Sequence, residues 1–304
     1  MISMRLARTA FAGVLIAILQ GMPAQAAHIF ISQNGNDANA CTFSSPCRST
    51  SRAIALNQEG GGPFEITCLD AGDYSGLVTI TRSVTIDCTG RAANMGPFNV
   101  NGSGITVVLR NFSIVFSSTL AGVLLENGTL IVDNLHIVSV ADAILAEPTS
   151  PSKLVVKNSL FESNGTGLLI QPGSGGSVTA TLDHVTITSN IGGGLKVNTA
   201  TNGPVTVDIF DSTVSNNAGN GLNAVSGAGG ASMLNIRNSV IADNGAAGIQ
   251  ANGANAAALL NNTLLDSNAT GATSAVGGGR VLTYGNNSVV GPLGSGFTGS
   301  APLQ

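Results

Sequence analysis

The stretch Leu154-Val155-Val156-Lys157-Asn158-Ser159-Leu160-Phe161-Glu162-Ser163-Asn164-Gly165-Thr166-Gly167-Leu168-Leu169-Ile170 decides the fold. Its first residues alternate with a period of two, Leu154 and Val156 on one side and Val155 and Lys157 on the other, which is the pattern of a strand and not of a helix. Asn158 interrupts that strand, a second short strand follows, Asn164 interrupts again, and Gly167 opens an apolar run. Asparagine tolerates left-handed backbone, and its amide bonds a like amide stacked above it, so it suits a turn that repeats.

The same grammar recurs along the chain. One column of turn positions runs Asn111, Asn134, Asn158, His184, Asp211, Asn238, Asn262 and Asn287, at intervals of 23 to 27 residues. A second follows it at Asn164, Asn190, Asn217, Asn244 and Asn268, with glycines at Gly167, Gly194, Gly221, Gly248 and Gly271. Before each first-column residue the inward pairs are Val107/Leu109, Leu130/Val132, Leu154/Val156, Ala180/Leu182, Val207/Ile209 and Leu234/Ile236. A period of this length marks a solenoid whose units bury their apolar faces only against neighbours. The expectation is an all-β, right-handed parallel β-helix of about ten coils, each of three strands.

The 304 residues divide accordingly. Arg5 and Arg8, an apolar run from Ala10 to Leu19 and the triplet Ala24-Gln25-Ala26 read as a signal peptide over 1–26, cleaved after Ala26, so the expected location is secreted or periplasmic. Residues 27–63 form an N-terminal cap region, with a short helix from Thr50 to Asn57 placing Ala53, Ile54 and Leu56 on the open end. The solenoid occupies 64–290. The tail, 291–304, covers the far end with Phe297 and Leu303. No later apolar run reaches the roughly 20 residues of a membrane span. Without Arg5 and Arg8, ten basic residues face 16 acidic ones, a balance that speaks against a nucleic-acid partner.

Four cysteines lie early in the mature chain. Ile66-Thr67-Cys68 and Ile86-Asp87-Cys88 are equivalent strand positions one coil apart, within disulfide reach at a stacking distance of about 4.8 Å. Cys68 is therefore expected to pair with Cys88, and Cys41, by elimination, with Cys47. Zinc is set aside because the spacings contain no C-x₂-C knuckle. No cofactor is expected.

These features resemble the right-handed β-helix repeat proteins of the pectate-lyase-like superfamily, the carbohydrate-binding and sugar-hydrolase type repeats among them. The glycine-opened strands, the asparagine-turn strands and the opening Ser32-Gln33-Asn34-Gly35-Asn36-Asp37 with Pro46-Cys47-Arg48 carry the resemblance. It implies a sugar lying along the strand after each glycine. The chain departs from the enzymes of that group. It lacks the Asn-Thr-Asp, Asp-Asp, Gly-His-Gly and Arg-Ile-Lys set of polygalacturonases, the Asp-Pro-His of alginate epimerases, and the aspartate cluster with partnered arginine of pectate lyases.

Outward positions on the glycine-opened strands form two rows. One contains Lys196, Asn223 and Gln250, and the other runs Glu126, Glu147, Gln171, Asn198, Val225 and Asn252. Gln171, Lys196, Asn198, Asn223, Gln250 and Asn252 make a row able to bond sugar hydroxyls, although no aromatic platform accompanies them. Glu126 and Glu147 on adjacent coils, with Lys196, are the candidates for catalysis, since paired carboxylates supply an acid beside a base or nucleophile. The other reading leaves both glutamates pointing apart into solvent. A further row, Arg110, Asp133, Lys157, Asp183, Phe210 and Arg237, alternates in charge and is expected to neutralise itself between coils. His136 stands alone, His184 continues the asparagine column, and no histidine pair has metal-ligand spacing.

Three functions follow from this reading. The first is a secreted solenoid contacting extracellular or cell-surface polysaccharide without a recognisable catalytic signature. The second is a polysaccharide lyase or glycoside hydrolase, and the third a structural or adhesive solenoid.

Overall fold

The computed structural model describes residues 27–59, 64–117, 119–199, 203–227 and 229–301. The segment read as a signal peptide and Leu303 lie outside them. The chain winds as a parallel β-helix of about nine turns, as the repeats led us to expect.

One coil shows the pattern. Pro151–Lys157 lies in the first sheet, Leu160–Glu162 in the second and Thr166–Ile170 in the third. Each strand pairs in parallel with its equivalent in the next coil, as Pro151–Lys157 does with Ser177–Asp183. Inside, residues of one kind stack: Ile137, Phe161, Ile187, Val214, Ile241 and Leu265 form a continuous column in the second sheet, all of them buried. The inward pairs read from the alternation are likewise buried from Val107 to Ile236. Each such side chain contributes roughly 1.5 to 3 kcal/mol relative to an exposed one, so the stack is held by the sum over coils.

Both asparagine columns bond between coils, the exposed first column in places, Asn134 Nδ2 to Asn111 Oδ1 at 2.9 Å and Asn262 Nδ2 to Asn238 Oδ1 at 3.0 Å, but their backbones and burial differ. First-column residues carry the left-handed backbone, with φ of 64° at Asn111, 55° at His184, 48° at Asp211 and 47° at Asn262. Second-column asparagines are not left-handed. The strained turn residue there is the one before, Ser163, Ser189, Asn216, Asp243 or Ser267. The second column is instead buried, at 0 to 3% exposure, and laddered. Asn190 Nδ2 donates to Asn217 Oδ1 at 2.8 Å, Asn217 Nδ2 to Asn244 Oδ1 at 3.0 Å, and Asn244 Nδ2 to Asn268 Oδ1 at 2.9 Å. Each Oδ1 also accepts the backbone N–H of the asparagine one coil earlier, at 3.0 to 3.2 Å from Asn164 to Asn244. Each Nδ2 reaches a further carbonyl, Asn217 to Ile187 O at 3.1 Å for example.

The glycines after this ladder are required by space. A Cβ on Gly194 would lie 2.4 Å from Val214 Cγ1, 2.5 Å from Gly221 O and 3.1 Å from Asn217 Nδ2. The reading slips by one in the last coil. Asn262 lies level with Asn286 rather than Asn287, since Leu264 pairs with Ser288, and Gln250 pairs with Ser274. Asn287 Oδ1 accepts from Thr263 N at 2.8 Å, the role that Ser212 and Ser239 hydroxyls play toward Val185 N and Ser212 N.

The charged row is in register but does not neutralise itself as expected. Among the described residues the ion pair it closes is Arg110 with Asp87, at 3.8 Å. Asp133 accepts from Asn158 Nδ2 at 2.8 Å, Asp183 contacts His184 Nδ1 at 2.6 Å, and Arg237 lies 5.4 Å over the Phe210 ring. Asp133 is met by a turn amide one coil on, and Asp183 by the imidazole next to it in the chain. His136 is not alone, because its Nε2 lies 2.7 Å from Glu162 Oε1.

The helix is Thr50–Glu59. Ser49 caps it, its hydroxyl accepting from Arg52 N at 3.1 Å, and Ala53 and Ile54 are buried on the first coils. Disulfides join Cys68 to Cys88, Cα atoms 4.8 Å apart, and Cys41 to Cys47, 4.6 Å apart. The opening motif is structural: Asp37 takes Arg48 N, Ser49 N and the Ser49 hydroxyl at 2.8 to 2.9 Å, and Ser32 Oγ donates to Asp70 at 2.7 Å.

Two outcomes are expected. Asn217→Ala strips both partners of the ladder at mid-stack and leaves buried groups unpaired, each worth about 1–3 kcal/mol. Its denaturant midpoint should fall well below that of Asn238→Gly, which removes an exposed turn amide and the bond it accepts from Asn262 Nδ2 at 3.0 Å. Acid should open the cap first. Burial alone would raise the Asp37, Asp70 and Asp87 carboxyls, but hydrogen bonds from Ser49, Tyr74 and Thr89 respectively outweigh it and hold all three below the usual aspartate range; Asp73 is lowered mainly by Ser75. Their stabilisation is complete above the ordinary aspartate value and is lost as pH falls through the lower native values, so it fades below about pH 4. Hydrogen exchange during acid titration should show Arg48 and Ser49 amides losing protection before those of the C-terminal coils.

Candidate functional site

The third sheet presents its outward residues on one broad face. Leu125 pairs with Ala146, and Ala146 with Ile170, so Glu126, Glu147 and Gln171 follow one another on successive coils. Two backbone bonds hold this end of the sheet, Glu147 N to Leu125 O at 3.0 Å and Gln171 N to Ala146 O at 2.8 Å. The sheet ends there against loops. The outcome is an open cleft of about 460 Å³ lined by Asn101, Glu126, Asn127, Glu147, Thr149, Gln171, Pro172, Gly173 and Asn198. Both glutamates are half-buried and face this one space, where the alternative reading had them diverge into solvent. Gln171 Nε2 donates to Glu147 Oε2 at 3.4 Å.

The structure separates the remaining candidates. Asn198 lines the cleft with Gln171, whereas Lys196 does not; it is exposed, level with Leu169 on one side and Asn223 on the other. Asn223, Gln250 and Asn252 continue along the flat sheet outside the cleft. Gln250 is tied down there, accepting from Asn220 Nδ2 at 3.3 Å and donating to Ser274 Oγ at 3.4 Å.

The cleft has walls that sequence reasoning missed. The pairing register shifts on either side of Asn101, which brings that residue level with Asn127. Asn127 donates to Asn101 Oδ1 at 3.3 Å and accepts from Ser150 Oγ at 2.6 Å. The signal for the opposite wall was the loop punctuation, Pro148 and Pro172, each directly after a row residue. Gly173 N donates to Pro148 O at 2.8 Å, stacking the two loops.

Beyond the row of Leu124 and Leu145, on the same face, lies a second, mostly apolar groove of about 270 Å³. Leu77, Phe98, Leu120, Leu124 and Leu145 line it around one carboxylate, Asp142. Burial pushes the Asp142 carboxyl above its usual range; a Thr166 hydrogen bond pulls it back and the Glu147 charge adds to the rise. Elsewhere, on the turns between the first and second sheets, ligand atoms of Asp183, His184 and Asp211 lie within 4.8 Å of one another. One imidazole nitrogen and two carboxylates could hold a divalent ion at the surface. Sequence spacing hid this group because Asp211 comes from the next coil. The readable signal was that His184 and Asp211 replace asparagine at consecutive column positions.

No family model matches the chain, and no curated protein matches it. Among solved structures it is similar to the pectate lyase Pel9A, with a TM-score of 0.63 and 14% identity over 92% of this chain and 80% of that one. It is also similar to the Azotobacter vinelandii mannuronan C-5 epimerase AlgE4 A-module, with a TM-score of 0.52 and 12% identity over 84% of this chain and 94% of that one. The fold is therefore a pectate-lyase-like parallel β-helix. Fold does not carry function with it at such identities.

Asp142→Asn should raise the unfolding midpoint at pH 7. The native carboxyl holds its proton more tightly than the unfolded one, so ionisation favours unfolding once pH exceeds the ordinary aspartate value. Below about pH 4 the gain should vanish; a gain that persists there would remove burial of the charge as its cause.

Proposed function

We propose that the protein is an exported β-helix that contacts polysaccharide through the cleft of Glu126, Glu147, Gln171 and Asn198. One observation carries this reading: carboxylates and amides from successive coils line a single open cleft on a flat sheet face. Such a lining offers donors and acceptors at the spacing of stacked strands, which suits an extended chain of hydroxyl-bearing units better than a compact ligand. The similar solved structures named as a pectate lyase and a mannuronan epimerase support a polysaccharide partner. Export is supported by two disulfides, which persist in oxidising compartments, and by the Arg5-to-Ala26 leader. Among the described residues no helix is long and apolar enough to cross a membrane. In this reading 27–63 caps the stack and 291–304 closes its far end.

A second reading makes the cleft catalytic. Two half-buried glutamates on adjacent coils sharing one solvent-open space are the arrangement from which an acid and its partner carboxylate are built. A glycan array followed by reducing-sugar and unsaturated-uronate release assays on the bound glycans distinguishes the two. Binding without release is expected, weakened about tenfold or more in Gln171→Ala, a loss of about 1.4 kcal/mol. Release abolished in Glu126→Gln/Glu147→Gln would establish the enzyme, and absence of binding would leave a structural solenoid.

A further inference from the structure

We infer that the cleft selects polysaccharide bearing free amino groups and rejects polyuronates. This rests on the cleft being the glycan site. Its charge is one-sided. Glu126 and Glu147 are its ionisable lining residues, and the other polar side chains, Asn101, Asn127, Thr149, Gln171 and Asn198, are neutral. No arginine or lysine lines it, and among the described residues neither glutamate belongs to an ion pair. Lys196, on the same sheet, sits in the other outward row, level with Leu169 and Asn223.

A ligand thus meets two carboxylates with nothing opposite them. A uronate unit would add a third negative charge to a half-buried space, where like charges repel more strongly than in open water. An ammonium group on a hexosamine unit would give each carboxylate a charge-assisted hydrogen bond, while ring hydroxyls exchange bonds with Gln171, Asn198 and Asn127. The rest of the chain adds to the bias: without these two glutamates, 14 of the 16 acidic residues remain against 12 basic ones. The cleft therefore has the opposite charge logic from a site built for an acidic polymer.

Titration calorimetry of the purified protein with oligomers of equal length tests this: glucosamine oligomers, the same oligomers fully N-acetylated, and oligogalacturonate. Glucosamine oligomers should bind at least tenfold more tightly than their acetylated counterparts, with oligogalacturonate weakest and the preference shrinking as salt rises. Glu126→Gln/Glu147→Gln, checked for fold by circular dichroism, should abolish the difference in affinity between the glucosamine and acetylated series. Equal or tighter binding of the acetylated or galacturonate series to the native protein overturns the inference while leaving a glycan site. Preference retained in the double variant also overturns it, by assigning the effect to net charge. Failure of all three series to bind removes the glycan reading beneath it.

Discussion

The rest of the molecule depends on the buried hydrogen-bond ladder of Asn164, Asn190, Asn217, Asn244 and Asn268. The side chains of Asn190, Asn217 and Asn244 accept from the coil before and donate to the coil after, in a space where an unmet polar group is costly. The bonds close only when successive coils are level and one strand spacing apart. The ladder therefore fixes the height of each turn and the angular position of the corner between the second and third sheets. Gly194, Gly221 and Gly248 follow from it, because that corner leaves no volume for a Cβ. The face that holds the cleft begins immediately after those glycines. The cleft meets the ladder at its first rungs: Gln171 and Asn198 follow Asn164 and Asn190, whereas Glu147 follows Val140, whose N–H donates to Asn164 Oδ1 at 3.2 Å.

Much of this was legible in the sequence. The period of two located the inward pairs from Val107 to Ile236, and the 23-to-27-residue interval placed strands on neighbours; equivalent strand positions one coil apart put Cys68 level with Cys88. The reading failed where several residues of one type perform different tasks. Both asparagine columns looked alike, yet one supplies left-handed backbone and the other buried amides; composition does not distinguish an exposed turn from an internal one. At the last coil adjacent Asn286 and Asn287 were interchangeable on paper, and only the pairing of Leu264 with Ser288 separates them. The charged row was misjudged because reach decides which partners meet. Asn158 and Lys157 both lie one coil on from Asp133, and the asparagine amide is the group that bonds it, while His184 meets Asp183 as its chain neighbour.

The candidate site was legible by half. Glu126, Glu147, Gln171 and Asn198 came from counting outward positions along a regular strand, which a repeat makes safe. The walls came from departures: a register shift at Asn101 and the loops carrying Thr149, Pro172 and Gly173. Irregular segments carry no period, so no counting locates them. The same applies to Asp142, whose significance lies in the apolar side chains that loops bring over it, and to Asp211 beside His184, which are neighbours only because one coil lies on the next.

A stack of this kind behaves as a one-dimensional array, each coil held by the two beside it. The Cys68–Cys88 bond ties the first coils covalently, and the helix with its hydrogen-bonded aspartates seals them. Nothing covalent ties the last coils: there the asparagine ladder ends at Asn268, and hydrogen bonds alone hold the tail to Ala272–Ala275 and to Val281–Thr283. The molecule is therefore polar in the sense of a zipper: one end is sewn shut and the other is where the teeth separate. The cleft lies toward the sewn end, so fraying of the terminal coils would shorten the rod while the site kept its shape.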